Sequence, residues 1–387
     1  MRTTILAVMA VAAASTTALG QSVRAWGENF YGQCNVPVDL GPCIAVAGRS
    51  GHTVALRTDG VVRAWGNNGS GQCNVPSNLG PCTAVSAGGW HTVALRTDGS
   101  VRAWGAGTTN TGLHPNYGQS IVPSDLGPCT AVGGGDRHTV ALRTDGIVRA
   151  WGDNFDFQCN VPADLGPCTA VAGGGGHTVA VRTDGIVRAW GRNNYGQCNV
   201  PANLGPCTAV AAGGLHTVAL RTDGVVRAWG AGTTGTGSEP SYGQSIVPTD
   251  LGPCTAVSAG AWHTVALRTD GIVRAWGHNL SGQSNVRADL GLCIAVAAGG
   301  THTVVLRTDA CDSSQDYNAN GTPDDCECVA DLNNDRSVNG ADLGDLLAYW
   351  GPTTSSAASQ RADLNRDGYV NADDLGYLLS QWGPCTN

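Results

Sequence analysis

Along residues 21–310 one short pattern of apolar and polar positions recurs. In its first full copy, Ile44-Ala45-Val46 is an apolar run. His52-Thr53-Val54-Ala55-Leu56-Arg57 follows, and it has strand composition. It runs into Asp59-Gly60 and returns as Val61-Val62-Arg63-Ala64-Trp65. Asp-Gly between two such runs predicts a β-hairpin with a type I′ turn, whose central residues need positive φ. Each copy therefore predicts three short strands. Such a unit has an apolar face that only a neighbouring unit covers, so the units stack.

The motif Val-Arg-Ala-Trp-Gly occurs seven times, around Trp26, Trp65, Trp104, Trp151, Trp190, Trp229 and Trp276. The spacings are 39, 39, 47, 39, 39 and 47 residues, so a unit of three repeats is copied once and a seventh follows. The region opens on half a repeat, Val23 to Trp26. It ends on the missing half, His302 to Asp309. Complementary halves predict that the two ends complete one sheet and close a ring, which leaves only short strand edges. An open solenoid has no need of them. The run Ala-Gly-x-x-x-His-Thr-x-Ala-Leu-x-x-Asp-Gly-x-Val-x-x-Trp-Gly-x-Asn-x-x-Gly-Gln, at 47–72, resembles the regulator-of-chromosome-condensation repeat. That resemblance covers residues 22–310 and implies a seven-bladed β-propeller. Some members of the family promote guanine-nucleotide exchange, and many serve as interaction platforms.

The repeats differ from one another in two places. One is the segment after Trp-Gly. It holds all three Phe (Phe30, Phe155, Phe157), the tyrosines Tyr31, Tyr117, Tyr195 and Tyr242, and two eight-residue insertions with His114 and Glu239. The other is the residue before the repeat His, which is Gly51, Trp90, Arg137, Gly176, Leu215, Trp262 and Thr301 in turn. Hairpin geometry brings both to the end opposite the Asp-Gly turn. Loops on a rigid scaffold are where binding sites collect. The candidate ligand contacts are Trp90, Trp262, Arg137, Phe157 and His114, and aromatics in a neutral groove suit a glycan or a protein. The tyrosines before Gly-Gln are expected to pack locally. The seven histidines (52, 91, 138, 177, 216, 263, 302) recur once per repeat and read as structural hydrogen-bonding groups.

Beyond the repeats the pattern changes. Residues 331–342 and 363–374 place oxygen side chains at the first, third, fifth, ninth and twelfth positions of a calcium loop. The expected ligands are Asp331, Asn333, Asp335, Asn339 and Asp342, then Asp363, Asn365, Asp367, Asn371 and Asp374. Ser337 and Tyr369 supply backbone carbonyls. A helix is predicted after each loop, from Leu343, Leu346, Leu347 and Trp350 and from Leu375, Leu378, Leu379 and Trp382. The paired units, 32 residues apart, resemble the dockerin family over 329–384. This implies Ca²⁺ binding and a cohesin partner. Arg336 stands where the second loop has Gly368, a departure expected to weaken the first site. Asp316, Asn318, Asn320 and Asp324 resemble a thrombospondin type 3 calcium motif and offer a third site.

Composition and charge refine the picture. Residues 311–387 hold 13 Asp/Glu against 3 Arg, whereas residues 21–310 hold 17 against 18. A near-neutral repeat region lacks the basic footprint of a nucleic-acid binder. Met1 to Gly20 has Arg2, the apolar run Ile5 to Ala14 and the small-residue site Ala18-Leu19-Gly20, which reads as a signal peptide. No apolar run is long enough to span a bilayer. Export permits disulfides, and there are 15 Cys. Four repeats carry Cys-x8-Cys: Cys34/Cys43, Cys73/Cys82, Cys159/Cys168 and Cys198/Cys207. A disulfide within each repeat is expected, with pairing to the next repeat as the alternative. Cys129, Cys254 and Cys293 lack local partners, because Ser120, Ser245 and Ser284 replace the first cysteine. Cys311/Cys326 and Cys328/Cys385 are further candidate pairs.

The expected fold class is an all-β seven-bladed propeller plus a small all-α calcium-loop domain. The expected domains are a signal peptide (1–20), propeller (21–310), Asp/Asn-rich linker (311–328) and dockerin-like domain (329–387). No acid–base pair or nucleophile with an adjacent base stands out, so no catalytic residue is assigned. The expected function is a secreted, non-catalytic binding and assembly protein, tethered by the calcium module to a cohesin-like or cell-surface partner. A polysaccharide-degrading enzyme component is the alternative, and a nucleotide-exchange factor ranks below it.

Overall fold

The structure is a computed structural model. It describes residues 21–288, 290–308, 332, 337–338, 340–353, 362–363, 369–380 and 383–384. The chain divides into two compact units, Met1–Thr308 and Asp309–Asn387.

The described residues of the first unit hold seven three-stranded antiparallel sheets. Six are contiguous in sequence, such as Cys43–Arg49, His52–Arg57 and Val62–Gly66. The seventh is split. Gln21–Gly27 pairs with His302–Thr308, which pairs with Cys293–Ala298. Trp26 sits opposite Thr303, as Trp65 sits opposite Thr53 in a contiguous sheet. First strands of successive sheets touch in order, and Cys293–Ala298 touches Cys43–Arg49, so the cycle closes.

Packing explains why the units stack. In His52–Arg57 the residues His52 to Leu56 are all buried, so this middle strand is covered on both faces. Val54 and Leu56 pack against Val85, Ala94 and Trp104 of the next sheet. The split sheet does the same on both sides. Val23, Val304 and Leu306 meet Val46 and Ala55, while Trp26 and Val305 meet Val265 and Leu267. Each buried Val or Leu side chain contributes about 1.5–3 kcal/mol.

The hairpin turn differs from the expectation. Gly60 has φ +81°, but Asp59 is not among the residues at positive φ. Gly60 N donates to Arg57 O at 3.0 Å and Arg57 N donates to Val61 O at 2.9 Å. The turn is a three-residue loop with glycine as the left-handed residue, not a two-residue type I′ turn. Asp59 Oδ1 accepts from Val61 N at 3.0 Å instead of occupying positive φ.

The second unit contains helix α1 (Gly340–Ala348) and helix α2 (Ala372–Ser380). The expected all-α character is incomplete. Ser337–Val338 pairs with Gly383–Pro384, and Gly351–Pro352 pairs with Tyr369–Val370. Each ladder joins the seventh and eighth positions of one calcium loop to the chain just past the other helix. Leu346, Ala362, Val370 and Leu378 form the core. Of the predicted helix stripe, Leu346 and Leu378 are buried, while Leu347, Leu379 and Trp350 are exposed.

Candidate binding mouth and calcium loops

In every sheet the two variable positions are joined by one backbone hydrogen bond. Asn67 N donates to Gly51 O (2.8 Å), Ala106 N to Trp90 O (2.8 Å), Asp153 N to Arg137 O (2.9 Å) and His278 N to Trp262 O (2.8 Å). The bond closes the hairpin end opposite the Asp-Gly turn. The repeat architecture thus places all variable positions around one rim.

The rim encloses a cavity of about 580 Å³. Trp90, Trp262 and Arg137 line it, with Glu28, Asp136, Asp153, Asp156, Glu239 and Arg192. Both tryptophans are buttressed. Trp90 packs edge-on to His114 at 5.2 Å. Trp262 lies 6.3 Å from Tyr242 and 6.0 Å from His278. Arg137 lies over Tyr117 at 5.6 Å and 3.9 Å from Asp153. Two candidates do not line the cavity. His114 stands behind Trp90, and Phe157 is 66% exposed outside the cavity, held at φ +62°. Tyr31 and Tyr195 do line it.

Sequence reasoning missed the floor of this mouth. Arg49 is buried and crosses the channel. Its Nε donates to Asp136 Oδ1 at 2.9 Å, and its Nη1 donates to Gly173 O (3.2 Å) and Ala212 O (2.9 Å). Beneath it the first strands line a smaller cavity of about 70 Å³. A signal was present. The other six repeats have glycine here, as at Gly88 and Gly135. A Cβ on those glycines would stand 2.0–2.4 Å from the imidazole three residues on. The first repeat alone carries a charge at that position.

The repeat histidines are wholly buried and bridge neighbouring sheets. His52 Nε2 lies 3.1 Å from Thr92 Oγ1 and His177 Nε2 lies 3.0 Å from Thr217 Oγ1. Thr92 Oγ1 itself donates to Gln72 O at 2.8 Å, so it accepts from the imidazole and fixes the Nε2–H tautomer. Burial pushes the imidazole pKa down, to about 4 for His52 and about 3 for His177. These rings are neutral structural donors.

The cysteines correct a second expectation. Cys34, Cys43, Cys73, Cys82, Cys159, Cys168, Cys198 and Cys207 are free thiols, as are Cys129, Cys254 and Cys293. Cys34 Sγ donates to Glu28 O, Cys73 Sγ to Asn67 O, Cys159 Sγ to Asp153 O and Cys198 Sγ to Arg192 O, all at 3.2 Å. Where serine replaces cysteine, Ser120 and Ser245 donate to Ala106 O and Ala231 O at 2.6 Å, and Ser284 donates to His278 O at 3.0 Å. Cysteine and serine therefore do the same work, satisfying the carbonyl after Trp-Gly. The partner cysteine begins a strand with its own acceptor, as Cys43 Sγ does with Gly41 O at 3.4 Å. Burial pushes the Cys34 thiol up to about 11, with Glu28 adding to the shift, and pushes Cys159 up to about 12. Such thiols are poor nucleophiles. Cys311, Cys326, Cys328 and Cys385 lie outside the described residues.

In the calcium loops, Asp331, Asn333, Asp335, Asn339, Asn365 and Asp367 lie outside the described residues, as do Asp316, Asn318, Asn320 and Asp324. Of the rest, Asp342 and Asp374 are fully buried in the first turns of α1 and α2, and Asp363 is 7% exposed. Asp374 Oδ2 accepts from Asn371 N, and Asn371 Oδ1 accepts from Asp373 N, each at 2.8 Å. This reciprocal cap orients the last carboxylate of the second loop. Among the described residues no three His, Cys, Asp or Glu side chains cluster as a metal site. Buried carboxylates at the first and last loop positions fit a hard cation such as Ca²⁺.

Segments 44–72, 82–110, 129–158, 168–197, 207–236 and 254–283 each match the Regulator of chromosome condensation (RCC1) repeat. Residues 329–379 match the dockerin type I domain. The split sheet is absent from the matched segments because its strands are not contiguous. No curated protein matches the sequence. Among solved structures, Prp20p from Saccharomyces cerevisiae, reported with its binding to Gsp1p and histones, is 19% identical with a TM-score of 0.63. It covers 76% of this chain and 93% of its own. Human WBSCR16 is also 19% identical, with a TM-score of 0.60 over 75% of this chain and 99% of its own. The ectodomain of the Physcomitrella patens receptor kinase CR4 is 19% identical, with a TM-score of 0.54 over 66% of this chain and 67% of its own. These likenesses concern the fold.

Proposed function

This chain is a protein of regulator-of-chromosome-condensation (RCC1) repeats that also carries a dockerin type I domain, and we propose that it is a non-catalytic binding and assembly protein. The repeats form a seven-bladed propeller whose variable mouth recognises a ligand. The dockerin domain, loaded with Ca²⁺ in its two loops, tethers the chain to a cohesin-like protein. Export follows from the pattern of residues 1–20, which lie outside the described residues.

One observation carries the reading. The positions at which otherwise alike repeats differ converge on one cavity, and buttressed aromatics line it. A scaffold without a ligand has no use for that asymmetry. The non-catalytic reading is supported by the engagement of charged groups of the mouth. Asp136 is engaged by Arg49, Asp153 stands near Arg137, and the buried histidines point between sheets and not into the mouth.

The test is retention of partners from an extracellular extract by the full mature chain, with calcium and with chelator. The expected result is a cohesin-like protein that is retained with calcium and released by chelator. Calcium-independent retention of every partner, or none at all, overturns the tether.

A further inference from the structure

Resting on the reading of the mouth as a recognition site, we infer that its ligand is a neutral oligosaccharide. The wall carries charges of both signs. Glu28, Asp136, Asp153, Asp156 and Glu239 are acceptors, and Arg49, Arg137 and Arg192 are donors. A polyanion entering here meets the carboxylates. A strongly basic peptide meets the guanidinium groups. A neutral polyhydroxylated chain finds a partner of the right kind for each hydroxyl, because a hydroxyl both donates and accepts.

Two indoles supply what the polar groups do not. Trp90 and Trp262 belong to different sheets and line the same cavity. A sugar ring has one face of C–H groups, and an indole covers such a face without needing a hydrogen bond. Both rings are held in place before any ligand arrives, Trp90 by His114 and Trp262 by Tyr242 and His278. A preset platform lowers the entropy lost on binding.

Two buried donors belong to residues that line the cavity. Trp262 Nε1 and Arg49 Nη2 are buried and have no hydrogen-bond partner among the described residues. Arg49 is 6% exposed, and its other nitrogens hold Asp136 and two carbonyls. Buried donors left unpaired in a native protein call for an explanation. Neither nitrogen has surface open to solvent, so a ligand oxygen reaches them only when the side chains shift. The volume of about 580 Å³ is in the range of small-ligand pockets and accepts a short oligosaccharide end, not a folded domain.

The experiment titrates the calcium-loaded full chain with cello-, xylo- and manno-oligosaccharides, with a sulfated oligosaccharide and with an oligo-arginine peptide. Calorimetry and tryptophan emission are the readouts. At least one neutral series is expected to saturate. Trp90→Ala and Trp262→Ala are each expected to weaken it at least tenfold, with thermal unfolding as the check on folding. Asp156→Asn and Glu239→Gln, which keep shape, are expected to weaken it severalfold. Saturation by the sulfated sugar or the peptide alone overturns the inference. So does neutral-sugar binding that survives both tryptophan variants. A protein partner lost in Trp262→Ala, with every sugar silent, overturns the sugar inference but keeps the mouth as a recognition site. Failure of every probe and every partner to depend on the mouth removes both.

Discussion

His302 Nε2 lies 3.0 Å from Thr53 Oγ1, although the two residues are 249 positions apart. This is the same bond that His177 makes to Thr217 between two interior repeats. The seam where the chain's ends meet is therefore chemically equal to the others. Thr53→Val leaves the imidazole N–H without an acceptor and changes little volume. It is expected to cost about 1–3 kcal/mol, as is Thr217→Val. Urea unfolding of the two variants compares them. An open array would leave Thr53→Val nearly silent.

Seven buried neutral histidines set the acid limit of the fold. An unfolded histidine titrates near ~6.5. Burial holds the folded rings at about 3, and His52 at about 4. Below the unfolded value the unfolded chain takes up protons that the native chain does not. Stability is therefore complete above ~6.5 and is lost as pH falls toward the folded values. Each ring adds up to about 1.4 kcal/mol per pH unit, so seven approach about 10 kcal/mol per unit. Against a typical stability of about 5–15 kcal/mol, unfolding is expected near pH 5–6. The exposed turn aspartates act at lower pH. The Val61 N–H is the main group holding the Asp59 carboxyl below its usual range. Urea midpoints from pH 8 to 5 are the measurement, and a flat profile contradicts the ring.

Arg49→Gly restores the residue found in the other six repeats, yet it is expected to destabilise. The substitution removes the donors to Gly173 O and Ala212 O and the partner of Asp136. Asp136 is 39% exposed and keeps much of its hydration. A loss of about 2–3 kcal/mol is expected, below the figure for a fully buried pair. Thermal unfolding reads it, and a gain in stability refutes the bridge.

The eleven repeat thiols are expected to be countable. Denaturing alkylation without reductant, followed by mass spectrometry, should label all of them. Native alkylation at neutral pH should be slow, because burial raises thiols such as Cys198 to about 12. A mass deficit of two hydrogens per Cys34/Cys43 pair would show that oxidation occurs.

Calcium removal is expected to act on the second unit alone. Chelator should lower the helical circular dichroism of α1 and α2 and leave the unfolding of the repeat unit unchanged. Asp374→Ala removes the cap on Asn371 N and a loop carboxylate. It is expected to lose about 1 kcal/mol from the cap and to weaken calcium binding at least tenfold in calorimetry.

The repeats made much of this legible. Phase, strand limits, the completing halves and the shared rim follow from local composition copied seven times. The doubled oxygen register of the C-terminal loops is equally local. Trp90, Trp262 and Arg137 were reachable because hairpin geometry sends them to one end. His114 sits in the turn of the hairpin 110–117 and Phe157 in a shorter loop, and side-chain direction in such turns is not written in their composition.

What the sequence by itself determined is whatever a single repeat decides through backbone hydrogen bonding, turn residues and short apolar runs. The tertiary structure decided the rest. It set Gly60 alone at positive φ, made Cys34 a hydrogen-bond donor equivalent to Ser120, and carried Arg49 across to Gly173 and Ala212. The first two are local contacts inside one repeat, whereas the Arg49 bridge depends on distances fixed only when the sheets close their cycle. A side chain's partner across a channel is a property of that closure, and no spacing along the chain encodes it.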